Sequence, residues 1–144
     1  MGTSTRTSKR TWLETGLRIL AEQGAPALTI DRLAASLGLT KGSFYHHFQG
    51  LAGYKAALLH FIEDGMATRV AAATAGAITP ADGMARLFAT SVADTPEVEI
   101  ALRAWAAQDD DVRAVQERLD DRRFESGQSL CRQVVDDDRR AQLM

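Results

Sequence analysis

The run Thr40-Lys41-Gly42-Ser43-Phe44-Tyr45-His46-His47-Phe48 gathers side chains suited to recognising a polyanion. A lysine can meet a phosphate oxygen or a guanine edge, and a serine hydroxyl can give or accept a hydrogen bond at a base. A glycine lets another backbone come close, and Tyr45 and His46 reach phosphate oxygens more naturally than bases. Phe44 and Phe48 are four residues apart, so on a helix they share one face and point inward against Leu33 and Leu37. Gly42, Ser43, Tyr45 and His46 are then displayed outward, with Thr40, Lys41 and His47 at the flanks. Neighbouring histidines diverge on a helix and no third ligand has suitable spacing, so His46 and His47 do not form a metal site. Paired carboxylates in a cleft motif, a glycine-rich phosphate loop and a nucleophile elbow are all missing from the sequence, which argues against catalysis and against a cofactor.

The surrounding pattern supplies the elements that must position these groups. From Thr11 to Gln23, Leu13, Leu17, Leu20 and Ala21 recur at helical spacing, and Gly24 stops the helix. Thr29 offers a cap to a short helix carrying Ile30, Leu33, Ala34 and Leu37. Gly38 supplies a left-handed turn, Leu39 anchors it, and Thr40 caps a third helix reaching about Gln49. Ala34 stands four residues before Gly38, where a small side chain lets two helices approach. This is the helix-turn-helix arrangement, in which the second short helix enters the major groove. Gly50 and Gly53 predict a break. A long helix with Tyr54, Leu58, Phe61, Ile62 and Met66 follows and closes at Gly76. Pro80 opens a helix with Met84, Leu87, Phe88 and Val92, and Pro96 opens another with Ile100, Leu102 and Trp105. Asp109-Asp110-Asp111 starts a helix with Val112, Val115, Leu119 and Phe124 that Leu130, Val134 and Val135 extend, and Asp136-Asp137-Asp138 predicts the start of one more. No strand pattern appears, so the fold class is all-α.

At 144 residues, 45% hydrophobic and 25% charged, the chain has the composition of a globular protein. Its net charge of -2 is unevenly spread: residues 1–60 hold 7 Lys/Arg against 3 Asp/Glu, while the remainder is acidic. The basic part suits DNA, because neutralised phosphates supply most sequence-independent affinity. Residues 1–10 read as a basic arm, 11–55 as the DNA-binding unit, and 56–144 as a second helical unit. The single cysteine, Cys131, reads as a small apolar filler and excludes an internal disulfide. The polar start and the lack of a long apolar run predict a cytoplasmic protein without membrane association.

The stretch from Thr29 to Phe48 resembles the DNA-binding signature of the TetR (TetR/AcrR) family of bacterial regulators, and the likeness extends over about residues 10–60. The resemblance implies that Thr29 opens its helix near a phosphate, that Lys41 to Ser43 face the groove, and that Tyr45, His47 and Phe48 form the aromatic ending. Lys55 takes the place of the lysine that usually follows this ending and contacts phosphate. The resemblance further implies double-stranded operator DNA as partner, a homodimer, and a repressor released by a small-molecule effector. Met66, Met84, Leu87, Phe88, Trp105 and Phe124 fit either ordinary core packing or the walls of that effector pocket. Family members are usually longer and pair through two C-terminal helices. The sequence therefore predicts a C-terminally shortened sensor and dimerisation half, with a helix-turn-helix protein acting through a partner or heterodimer as the alternative.

Overall fold

The computed structural model describes residues 8–93 and 96–144, with the side chains at 73–74 and 88–93 outside the described set. Seven helices occupy the described residues: α1 (Lys9–Gln23), α2 (Ile30–Leu37), α3 (Lys41–His47), α4 (Gly50–Ala75), α5 (Pro80–Ala93), α6 (Pro96–Ala106) and α7 (Asp110–Leu143). A single 3-10 turn, Ala25–Ala27, joins α1 to α2.

The helix boundaries follow from local chemistry. The Ser8 hydroxyl accepts from the Thr11 amide and starts α1 at Lys9, ahead of the start at Thr11 that the apolar pattern predicts. Lys9 and Arg10, assigned from sequence to a basic arm, are therefore helical, and residues 1–7 of that arm lie outside the described residues. Gly38 ends α2 in the left-handed region, φ 64° and ψ 32°, and the Leu39 amide closes back onto the Ala34 carbonyl at 2.9 Å. Helix α3 ends at His47, with Phe48 already extended. Gly50 then turns the chain with φ 77° into α4.

Three further expectations differ from the structure. Gly53 makes no break, because its φ is not positive and the helix runs through it. Asp136-Asp137-Asp138 starts nothing, since α7 continues through it for 34 residues, about 50 Å at the α-helical rise. Acidic residues favour helix starts, but a start also needs an extended capping residue, which Asp109 provides (φ -140°, ψ 120°) and position 135 does not. Cys131 is exposed rather than a filler.

Among the described residues a hydrophobic core joins α1, α2, α3, α4, α6 and α7. It takes Trp12, Leu13, Ile19 and Leu20 from α1, Leu33 and Ala34 from α2, and Phe44 from α3. It continues through Tyr54, Leu58 and Ile62 of α4, Leu102 of α6, and Val112, Val115 and Leu119 of α7. Helix α1 thus packs on α6 as well as on its own unit. Ion pairs tie α7 to the rest. Glu63 of α4, nearly buried, accepts from Arg118 at 2.8 and 3.2 Å and faces Arg122 at 3.5 Å. Arg123 makes a two-point contact with Glu99 of α6 at 2.9 Å.

The tightest approach is between α1 and α4. The Tyr54 hydroxyl donates to the Trp12 carbonyl at 2.7 Å in a buried setting. A Cβ on Gly16 would stand 1.7 Å from that hydroxyl oxygen and 2.8 Å from Cζ. Glycine at 16 is thus a packing requirement. Burial pushes the Tyr54 phenol above its ordinary value, with a Gly16 backbone hydrogen bond opposing, so the hydroxyl keeps its proton through the working pH range.

Tyr54→Phe is expected to destabilise the chain by about 1 kcal/mol and Gly16→Ala by about 2 kcal/mol or more. In a denaturant double-mutant cycle the pair should cost less than the sum, because Tyr54→Phe removes the nearest clashing atom; strict additivity would contradict the contact. Acid stability should depend on Glu63. Arg118 first, then Arg122, hold its carboxyl below the ordinary value of 4.5. Its contribution is therefore complete above that value and is lost as the pH falls through the lowered one. Melting curves of Glu63→Gln should show a lower plateau near neutrality and a shallower decline into acid than the parent.

Candidate nucleic-acid interface

Helix α3 is only seven residues long and would not form alone in water. Its cap and its buried face hold it. The Thr40 hydroxyl accepts from the Ser43 amide at 3.2 Å, and the Thr29 hydroxyl does the same for Arg32 at the start of α2. Phe44, with no exposed surface, meets the Trp12 ring edge-on at 5.5 Å and the rings of Phe48 and Tyr54 at 5.1 and 5.6 Å. Phe48 in turn meets Tyr54 edge-on at 4.9 Å. These four rings clamp α3 between α1 and α4.

The clamp determines what α3 shows. Thr40, Lys41, Gly42, Tyr45 and His46 are exposed or partly so, and Ser43 and His47 lie nearer the protein. Tyr45 is 56% exposed, yet its ring stands edge-on to Phe44 at 5.5 Å, which fixes its direction. His46 and His47 lie edge to face at 5.1 Å. Thr29, exposed at the α2 cap, begins the same helix-turn-helix. The structure therefore brings Thr29, Thr40, Lys41, Gly42, Ser43, Tyr45, His46 and His47 together on the α2-turn-α3 unit.

Lys55 is placed elsewhere. Its ammonium is held by Asp109 at 2.5 Å and Asp111 at 3.4 Å, at the start of α7. Hydrogen bonding to Asp109 raises the Lys55 value and lowers that of Asp109, so both stay charged. The side chain that the resemblance assigned to phosphate joins α4 to α7.

Two features of the surface were not legible from spacing. Lys41 pairs with Asp31 of α2 at 2.7 Å, both largely exposed, and that partner raises its value. The Lys9 ammonium lies 5.5 Å from the centre of the Phe48 ring, which sets another positive charge at the end of α3. Nothing among the described residues explains Gly42. Its φ is not positive, and an added Cβ would meet only the Thr40 hydroxyl oxygen at an ordinary 3.7 Å.

The six residues expected to line an effector pocket differ in their exposure. Met66 and Met84 are half-buried, Leu87 is buried, and Phe124 is 66% exposed. Trp105, also half-buried, lines a cleft of about 430 Å3 with Gly24, Pro26 and Ala101. The side chain of Phe88 lies outside the described residues.

A buried aromatic clamp presenting a capped, polar, glycine-containing helix after a left-handed turn defines a helix-turn-helix DNA-binding protein. Residues 13–62 match the profile of the bacterial regulatory proteins of the tetR family. The fold is similar to that of a crystal structure from Rhodococcus sp. described as a TetR-family transcriptional regulator. The TM-score is 0.68 at 22% identity, covering 85% of this chain and 68% of that one. No curated protein matches the chain. The segment 13–62, which holds α2, the turn and α3, is thus similar to the recognition module of that family. Among the described residues no helix is long and apolar enough to cross a membrane.

Because one hydroxyl starts the exposed helix, Thr40→Ala is expected to lower stability by about 1 kcal/mol, read from the urea midpoint. Thr40→Ser should retain most of it, and equal midpoints for Thr40→Ala and the parent would refute the capping role.

Proposed function

We propose that the chain is a transcriptional repressor that binds a two-fold operator through α3 and is released by a small-molecule effector. The observation that carries the DNA-contact assignment is Gly42. Glycine in a helix costs about 1 kcal/mol relative to alanine, and here neither φ nor packing asks for it. Space kept open on an exposed helix beside Lys41 and Ser43 suits the close approach of a DNA backbone or base edge. Thr29, Thr40, Tyr45, His46 and His47 complete the set of DNA contacts, and Lys9 adds a phosphate-directed charge. Lys41 is stored against Asp31 until phosphate or guanine replaces that carboxylate.

Operator binding of this kind requires two reading helices about 34 Å apart, or a multiple of it, and hence a dimer. The far part of α7 supports that reading. Phe124, Cys131 and Val135 are exposed, and their spacing of seven and then four residues places them on one stripe. A homodimer working in the cytoplasm fits these features, and the effector reading rests on the family resemblance.

Fluorescence anisotropy with the gene's upstream DNA and a scrambled duplex, each at two salt concentrations, tests the proposal. The upstream duplex should be preferred at near-physiological salt. Lys41→Ala should weaken binding by about 1 to 3 kcal/mol if it reads guanine, or flatten the salt dependence if it meets phosphate. Gly42→Ala should stabilise the fold while weakening DNA binding, and Asp31→Asn should strengthen binding. Equal affinity for both duplexes, erased by salt, would overturn specific recognition by this chain.

A further inference from the structure

Helices α1, α4 and α6 enclose a cleft of about 510 Å3, within the range of small-molecule sites. Leu17 of α1, Phe61 and Ile62 of α4 and Val98 of α6 form its apolar walls. Gly65, midway along α4, also faces it. An added Cβ there would meet no atom of the described residues within 4 Å, and its φ is not positive. A glycine in a helix interior weakens the helix, so room is kept here that the fold itself does not use.

The charged groups around the cleft are unequal. Arg10 is paired with Glu14 at 2.8 Å, and its guanidinium lies 6.0 Å from the centre of the Phe61 ring. Asp64, on the same rim, faces His60 at 3.2 Å. Arg69 stands one turn beyond Gly65, is half-buried and lines the cleft, and its guanidinium has no ion-pair or hydrogen-bond partner among the described residues. A guanidinium partly withdrawn from water gains from an anion, and its planar fork fits a carboxylate at two points.

We propose that this cleft binds a small amphipathic carboxylate. Its apolar body lies between Leu17, Phe61 and Val98 over Gly65, and its carboxylate is received by Arg69. A cationic ligand would meet Arg69 and Arg10. A dianion would need a second unpaired cation, and Arg10 is already neutralised by Glu14. With Asp64 adding a carboxylate to the rim and Arg69 offering one open guanidinium among the described residues, the cleft favours one carboxylate over two. An occupant would touch α1 of the recognition module and α6 of the second half together. Its effect on DNA affinity rests on the regulator reading above, but binding itself does not.

The test is calorimetric titration of the full chain, without DNA, near neutral pH. The probes are 2-naphthoate and decanoate, each beside its uncharged alcohol, 2-naphthalenemethanol and decan-1-ol. At least one carboxylate should bind the parent about tenfold or more tighter than its alcohol, the scale of one charge-assisted hydrogen bond. Arg69→Met should remove that preference while leaving alcohol binding unchanged. Gly65→Leu should abolish binding of both while the protein melts at the same or a higher temperature. The proposal is overturned if neither carboxylate binds the parent, if the preference survives Arg69→Met, or if Gly65→Leu binds as the parent does. Should Gly65→Leu fail to fold, the Arg69→Met comparison decides alone. Anisotropy on ligand-free protein separates the two ideas: intact operator binding without carboxylate binding removes the cleft alone, and the reverse removes DNA recognition alone.

Discussion

Phe44 belongs to a helix too short to form alone, and its ring is completely buried where α1, α3 and α4 meet. Trp12, Phe48 and Tyr54 surround it with ring centres 5.1 to 5.6 Å away. Aromatic packing of this kind is directional as well as apolar, because edges and faces carry opposite partial charge. The cluster therefore fixes the rotation of α3 about its axis, and with it which side chains face outward. Lys41, Tyr45 and His46 are exposed because Phe44 and Phe48 cannot be. The Thr40 cap and the left-handed Gly38 define where the helix begins, but the ring cluster defines how it is turned.

The α2-turn-α3 unit was legible in the sequence because its signals are local. A hydroxyl before each helix, a glycine in the turn and two aromatics four apart all act within one or two turns of chain. The junction with α1 and α4 was not, since Tyr54 meets Trp12 across 42 residues and no spacing rule reaches that far. Gly16 carried a faint signal, because a lone glycine inside a helical pattern often marks a close approach. The reading of Gly53 and of Asp136 to Asp138 as boundaries failed for a shared reason. Residue types that favour an end do not make one unless the backbone leaves the helical region, and here it does not. The ion pairs of Lys55 were not legible because its partners are 54 and 56 residues away. The apolar set from Met66 to Phe124 shows the limit of composition, which reveals hydrophobic residues but not whether they surround a space.

The core does not stop at the recognition module. Leu102, Val112, Val115 and Leu119 join the cluster that contains Trp12 and Phe44. The Lys55 to Asp109 and Glu63 to Arg118 pairs hold α7 along α4, and the Glu99 to Arg123 pair holds it to α6. Tight packing resists graded deformation, so a shift of α6 or α7 is passed to α1 and α4 instead of being absorbed between two independent units. The same continuity makes the stability of the reading helix a property of the whole chain.

The contact between Gly16 and Tyr54 also constrains how this sequence can diverge. Any side chain at position 16 collides with the phenol, and any retreat of the phenol removes the hydrogen bond to the Trp12 carbonyl. Neither position can drift alone without passing through a less stable intermediate. In descendants of this chain the two sites should therefore change together or not at all, so that a glycine in α1 and a tyrosine in α4 are inherited as one character although 37 residues of sequence separate them.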